Sequence, residues 1–119
     1  MHEIGTLYKV VQTAEAFAEE NHAIQVLSIT LDVGELSGML PYFFESYYPI
    51  VIENHPLLHG SKLVLQTTPG IGHCNDCGEN YNVAKNEGAC PHCGSRDKRI
   101  LTGRSLFIKD ICIAMEEAS

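Results

Sequence analysis

Cys74-Asn75-Asp76-Cys77-Gly78 and Cys90-Pro91-His92-Cys93-Gly94 are two copies of one short pattern, a Cys-x-x-Cys pair followed at once by glycine. Twelve residues, Gly78 to Ala89, lie between the second and third cysteines. A Cys-x-x-Cys pair on a tight turn aims both sulfurs at one point, and the glycine permits the backbone conformation such a knuckle needs. Two knuckles supply four thiolates, the donor set of tetrahedral zinc. With all four positions filled by thiolate, no place is left for a reactive water, so the site reads as structural. Two disulfides would need an oxidising compartment. A thioredoxin-type redox pair needs only one of the two motifs, and an iron–sulfur cluster would use the same four ligands.

On the N-terminal side the module opens through Thr67-Thr68-Pro69-Gly70-Ile71-Gly72, which has the composition of a linker. On the C-terminal side Leu106 to Met115 is an apolar, β-branched run that reads as a strand, with Cys112 expected as a buried apolar residue. Leu63-Val64-Leu65 reads as a short strand ahead of the module. The module therefore interrupts an α+β unit, and the strands on either side of it are expected in one sheet.

Further upstream, Leu27, Ile29, Leu31 and Val33 alternate with Ser28, Thr30 and Asp32, the period of a half-buried strand. Ile4, Leu7, Tyr8, Val11, Ala14 and Ala18 recur at helical spacing, widened by Val10 and Phe17, and predict a helix over 4–20. A second helical segment is expected over 40–54, with Pro41 in its first turn and Pro49 as a kink or break. Its aromatics, Tyr42 to Tyr48, are assigned to core or interface. The expected fold is α+β: two helices on a small three-stranded sheet, with an inserted zinc-ribbon-like module. The domains are expected at 1–68 plus 104–119, the α/β domain that carries the N-terminus, and at 69–103, which would bind zinc.

The charge is unevenly spread. Pro69 to Arg104 carries five basic and four acidic residues, net +1, and the rest carries three against eleven, net −8. An acidic body repels phosphate backbones, so nucleic acid is not expected as the partner. The basic cluster Arg96, Lys98, Arg99 and Arg104 supports the alternative of a zinc-ribbon adaptor for nucleic acid or protein. Its simpler reading is compensation for a four-thiolate zinc centre, which carries net −2. No run approaches the roughly 20 apolar residues of a membrane span, and no secretory core follows Met1, so a cytoplasmic protein is expected, with no membrane partner. No nucleophile elbow, phosphate loop or framed carboxylate pair is present, which argues against an enzyme.

The chain begins Met1-His2-Glu3. A histidine at position two offers one cation the terminal amine, its own amide nitrogen once deprotonated, and the imidazole. Glu3 can add its amide or its carboxylate. A planar set of nitrogens favours nickel(II) or copper(II). The large His2 side chain should protect Met1 from removal.

Met1-His2-Glu3 opening an amphipathic helix, Val33-Gly34-Glu35-Leu36-Ser37-Gly38 after the first strand, and the two knuckles together resemble the HypA/HybF family of nickel metallochaperones in nickel–iron hydrogenase maturation. The resemblance covers essentially the whole chain. It implies His2 as the essential nickel ligand with donors from Met1 and Glu3, nickel as transient cargo, and zinc on Cys74, Cys77, Cys90 and Cys93. It places His73 and His92 where some members carry histidines that influence metal coordination. It implies work with the GTPase HypB and delivery to the hydrogenase large subunit, in some members also urease maturation. Homodimer formation is open. The spacer between the knuckles holds no histidine, so the extra ligand of some archaeal relatives is not expected.

Overall fold

The computed structural model describes residues 2–117; Met1, Ala118, Ser119 and the side chain of His2 lie outside that description. The chain packs as two units. The first comprises residues up to Leu31, Leu40–Gln66 and the chain from Phe107; the second comprises Asp32–Met39 and Thr67–Leu106.

In the first unit, helix α1 spans His2–Glu20 and buries Leu7, Val10, Val11, Ala14 and Ala18 along one stripe. Tyr8 and Phe17, expected on that stripe, are 44% and 39% exposed. The helix ends where Asn21 returns both its backbone and its side-chain amide to the Phe17 carbonyl and His22 turns left-handed at φ 54°. A left-handed residue just past the last turn is the usual way to stop a helix. Helix α2 spans Pro41–Val51 and passes into a 3-10 turn over Ile52–Asn54. Pro49 therefore does not divide the segment; the helix runs through it and tightens afterwards. Phe44, Tyr48 and Val51 form its buried stripe, and α1 packs along α2. Each large side chain so buried, such as Leu7 or Phe44, contributes roughly 1.5–3 kcal/mol.

Strand β1 runs Ala23–Val33, β2 Lys62–Gln66 and β6 Leu106–Met115, and they form one sheet in the order β2-β1-β6. The strands leading into and out of the cysteine module thus flank β1, as the interrupted α+β reading requires. Two details depart from the strand pattern. Leu27 is 43% exposed while Val26 is buried, and the expected polar positions Thr30 and Asp32 are buried too. Cys112 is exposed, because β6 is an edge strand with alternate side chains open to solvent.

The second unit is built on a smaller antiparallel sheet, order β4-β3-β5, from Ile71–Cys74 (β3), Asn80–Asn82 (β4) and Lys98–Thr102 (β5). Its register pairs His73 with Asn80 and Cys74 with Lys98. Its small core is Cys74, Tyr81, Val83 and Cys90, with Leu36, Cys77 and Ile100 packed against it.

The loop after β1 closes the base of this unit. The N–H of Gly34 donates to the Ser105 carbonyl at 2.9 Å, that of Glu35 to Thr68 at 2.9 Å, and that of Leu36 to Gly103 at 2.7 Å. The Thr68 hydroxyl donates to the Asp32 carboxylate at 2.8 Å, and the Gly70 N–H to Glu35 Oε1 at 3.0 Å. Gly34 must be glycine here: a Cβ would stand 2.3 Å from the Gly103 carbonyl oxygen. The Val33–Gly38 motif is thus a staple across both connections of the cysteine module.

Candidate metal centre

The four motif cysteines converge. The sulfurs of Cys74, Cys77, Cys90 and Cys93 all lie within 4.8 Å of one another, the only such group of metal-binding side chains among the described residues. Two sulfur contacts cross between the knuckles: Cys74 to Cys93 at 3.5 Å and Cys77 to Cys90 at 3.6 Å. Four thiolates at about 2.3 Å from one zinc ion stand about 3.8 Å apart, so the cluster is sized for a single divalent ion.

Both knuckles are built alike. Gly78 donates its N–H to the Cys74 carbonyl at 2.9 Å, and Gly94 to the Cys90 carbonyl at 2.7 Å. Cys74 and Cys90 donate theirs to the carbonyls of Glu79 and Ser95, both at 2.8 Å. The turns need φ of +81° at Gly78 and +79° at Gly94, so the glycines are there for their conformation. Side chains then tie the first knuckle to the chain after the second. The Ser95 hydroxyl donates to the Asp76 carboxylate, and Asn75 Nδ2 to Asp97 Oδ1 at 3.0 Å. Spacing alone does not announce these two links; the only signal is that both variable positions of the first motif are short polar residues.

The electrostatics call for a cation. The backbone N–H of Cys77 is the main cause that lowers the Cys74 thiol to about 7, against the opposing effect of burial. At Cys77 the Glu79 N–H pulls downward, but burial and the hydrogen bonds with the other three thiols win and push it up to about 12. At Cys93 the Ser95 N–H also pulls downward, and the Cys74 hydrogen bond and burial outweigh it, so the thiol is raised. Four sulfurs this close cannot all be anionic without a positive charge between them. A dication supplies that charge and displaces the protons.

The two neighbouring histidines are not members of the four-cysteine group. His73 hydrogen-bonds through Nδ1 to Asn80 Oδ1 at 2.7 Å, and His92 is exposed. The basic residues are partly spent within the unit. Arg96 donates to the Glu87 carbonyl at 2.9 Å, and Lys98 to the carbonyls of Gly88 at 3.0 Å and Arg96 at 2.8 Å.

At the N-terminus, His2 is the first residue of α1 and Glu3 the second. Glu3 is 8% exposed, and its Oε2 accepts the Leu40 N–H at 3.2 Å. Met1 and the His2 imidazole, the expected nickel donors, lie outside the described residues. No described helix is long and apolar enough to cross a membrane.

A family model described as "Hydrogenase/urease nickel incorporation, metallochaperone, hypA" matches residues 1–113. Hydrogenase maturation factor HypA of Methanocella arvoryzae is 35% identical over 118 residues, 98% of this chain and 97% of its own. That of Geobacter metallireducens is 33% identical over 111 residues, 93% of this chain and 97% of its own. In fold, the chain is similar to the solution structure of the Ni metallochaperone HypA from Helicobacter pylori, with TM-score 0.67, 21% identity, and coverage of 96% of this chain and 98% of that one. A second HypA solution structure gives TM-score 0.71 at 22% identity and 98% coverage of both. The chain belongs to the HypA family, the nickel-incorporation metallochaperones of hydrogenase maturation, and is a metal carrier rather than an enzyme.

Proposed function

We propose that the chain carries nickel(II) at its N-terminus, on the Met1 amine and the amide and imidazole nitrogens of His2, while Cys74, Cys77, Cys90 and Cys93 hold a structural zinc ion. The observation that carries the nickel assignment is the position of His2 at the start of α1. N–H groups in a helix's first turn are not used by the helix ladder, so deprotonating the His2 amide breaks no helical hydrogen bond. The carboxylate of Glu3 is buried against the Leu40 N–H, so Glu3 serves the site through its backbone and by fixing the first turn. Nickel is cargo: a site made of one chain terminus releases it by ligand exchange more readily than a closed cage.

Zinc is favoured at the cysteines because all four donors are soft sulfurs in a cluster sized for tetrahedral coordination. His73 and His92 flank that cluster, and their proposed role is to tune it. Zinc-ribbon adaptor function is not supported, since Arg96 and Lys98 are committed to carbonyls of their own unit. The proposed recipients and partners follow the family: the hydrogenase large subunit, the GTPase HypB, and urease maturation proteins. A reducing cytoplasm is part of the proposal, since the four zinc thiolates must be kept from forming disulfides.

Absorption spectroscopy tests the nickel site. Amide-nitrogen coordination in a planar field gives a visible d–d band on nickel addition, expected in the native chain and lost in His2→Ala. Retention of the band in His2→Ala would refute the assignment. The four cysteines are tested separately by zinc content, expected near one per chain in both proteins.

A further inference from the structure

The four cysteines are not equally exposed. Cys74 and Cys90 are buried, Cys77 is half-buried, and Cys93 is exposed, within an exposed run from Pro91 to Gly94. Cys93 stands in hydrogen-bond geometry to Cys74, on the other knuckle, with the two sulfurs 3.5 Å apart. The remaining two sulfurs form a second crossed pair, Cys77 and Cys90, at 3.6 Å.

We propose that Cys93 is a site of oxidation by hydroperoxides, with Cys74 as the resolving thiol, and that the resulting Cys74–Cys93 disulfide releases the structural metal. The inference rests on the zinc reading of the cysteine cluster. Oxidation of a thiolate follows exposure and thiolate character, and zinc binding keeps the sulfur as thiolate. The Cys93 sulfur attacks the outer peroxide oxygen. The O–O bond breaks, the alcohol or water leaves with a proton from solvent, and Cys93 becomes a sulfenic acid. The Cys74 thiolate then attacks the Cys93 sulfur, the S–O bond breaks, and hydroxide leaves and is protonated to water. The two sulfurs lose two electrons, which the peroxide takes up. With two of four donors gone, the tetrahedral site can no longer hold zinc.

The geometry also sets what happens to the unit afterwards. A bond within one Cys-x-x-Cys motif would leave the two knuckles unconnected once the metal departs. The crossed bond ties Cys74, at the end of β3, to the second knuckle, so the covalent link replaces the metal link. Oxidation is therefore a reversible exchange of metal for disulfide, undone by a thiol reductant.

The test treats the zinc-loaded native chain with a few equivalents of hydrogen peroxide. Zinc release is followed with a chromogenic chelator, and disulfides are mapped by mass spectrometry after alkylation. Zinc content before treatment, near one per chain, checks the zinc reading itself. The expected first disulfide is Cys74–Cys93, appearing in step with zinc release, with both reversed by reductant and zinc. In Cys93→His, which keeps four ligands but no oxidisable sulfur at that corner, zinc release is expected to slow at least tenfold. Alkylation of Cys112 reports on an ordinary exposed thiol in the same sample. A zinc-loaded chain whose first disulfide is Cys74–Cys77 or Cys90–Cys93, or that keeps its zinc under peroxide, overturns the proposal. If Cys93→His does not fold, the disulfide map of the native chain alone decides.

Discussion

Glu3 and Leu40 are joined by a 3.2 Å hydrogen bond from the Leu40 backbone N–H to the Glu3 carboxylate, on a Glu3 that is 8% exposed. The bond links the first turn of α1 to the residue that precedes α2. It gives the acidic residue of Met1-His2-Glu3 a structural task that the motif alone does not reveal. Removing the carboxylate takes the acceptor from the Leu40 N–H, a part-buried bond on an exposed residue, and so Glu3→Ala is expected to lower stability by about 0.5–1.5 kcal/mol in urea unfolding. Nickel stoichiometry should stay at one. Loss of nickel binding with unchanged stability would instead make the carboxylate a ligand.

The glycines of the cysteine unit divide into two kinds. At Gly34 a Cβ would meet the Gly103 carbonyl oxygen at 2.3 Å, whereas at Gly94 nothing lies within 4 Å. Gly34→Ala must push two backbones apart and is expected to cost about 3 kcal/mol or more. Gly94→Ala carries only the penalty of a left-handed backbone, about 1–2 kcal/mol. Thermal unfolding of both variants, zinc-loaded, checks the order. Equal losses would mean that the staple at Gly34 is not closed in solution.

Zinc uptake should release protons. At pH 7 Cys77, at about 12, still holds its proton, and Cys74, at about 7, is about half ionised. Metal binding requires thiolates, so affinity rises with pH and is expected to fall about tenfold or more per unit below pH 7. The sign is fixed: the metal-free cluster binds more protons than the metal-bound one. Competition titrations against a chelator between pH 6 and 8 read the slope, and a flat profile would contradict a thiolate site.

The cysteines also predict a pattern under substitution. Serine at Cys74 or Cys90, both buried in the small core of their unit, should cut zinc content below one tenth and lower the thermal midpoint. Serine at the exposed Cys112 should change neither. Metal analysis after gel filtration, paired with calorimetric melting, distinguishes the cases.

What could be read from the sequence was whatever local chemistry dictates. The knuckle glycines Gly78 and Gly94 take the left-handed conformation their motif demands. Strand β6 has the bounds its apolar run suggests, and the stripe of α1 buries Leu7, Val11, Ala14 and Ala18 as its spacing requires. What escaped was set by partners distant in the chain. Gly72, His73, Asn80 and Asn82 have little strand propensity, yet they form β3 and β4, which the first knuckle joins, with the Cys74 N–H closing onto the Glu79 carbonyl. Asp32 reads as a solvent-facing strand residue but is buried, with the Thr68 hydroxyl on its carboxylate. The aromatic α2 segment sorts itself only in three dimensions: Phe44 and Tyr48 enter the core while Tyr42 is 70% exposed.

The central claim is that the terminal amine and His2 hold the nickel ion, and it is tested most directly by calorimetric nickel titration of three proteins: the untagged chain, His2→Ala, and a chain with extra residues ahead of Met1. About one nickel per untagged chain is predicted, with binding weakened at least tenfold in each of the others and zinc content unchanged in all three. Undiminished nickel affinity in the extended chain would contradict the account, because it would show that the amine of Met1 is not a ligand.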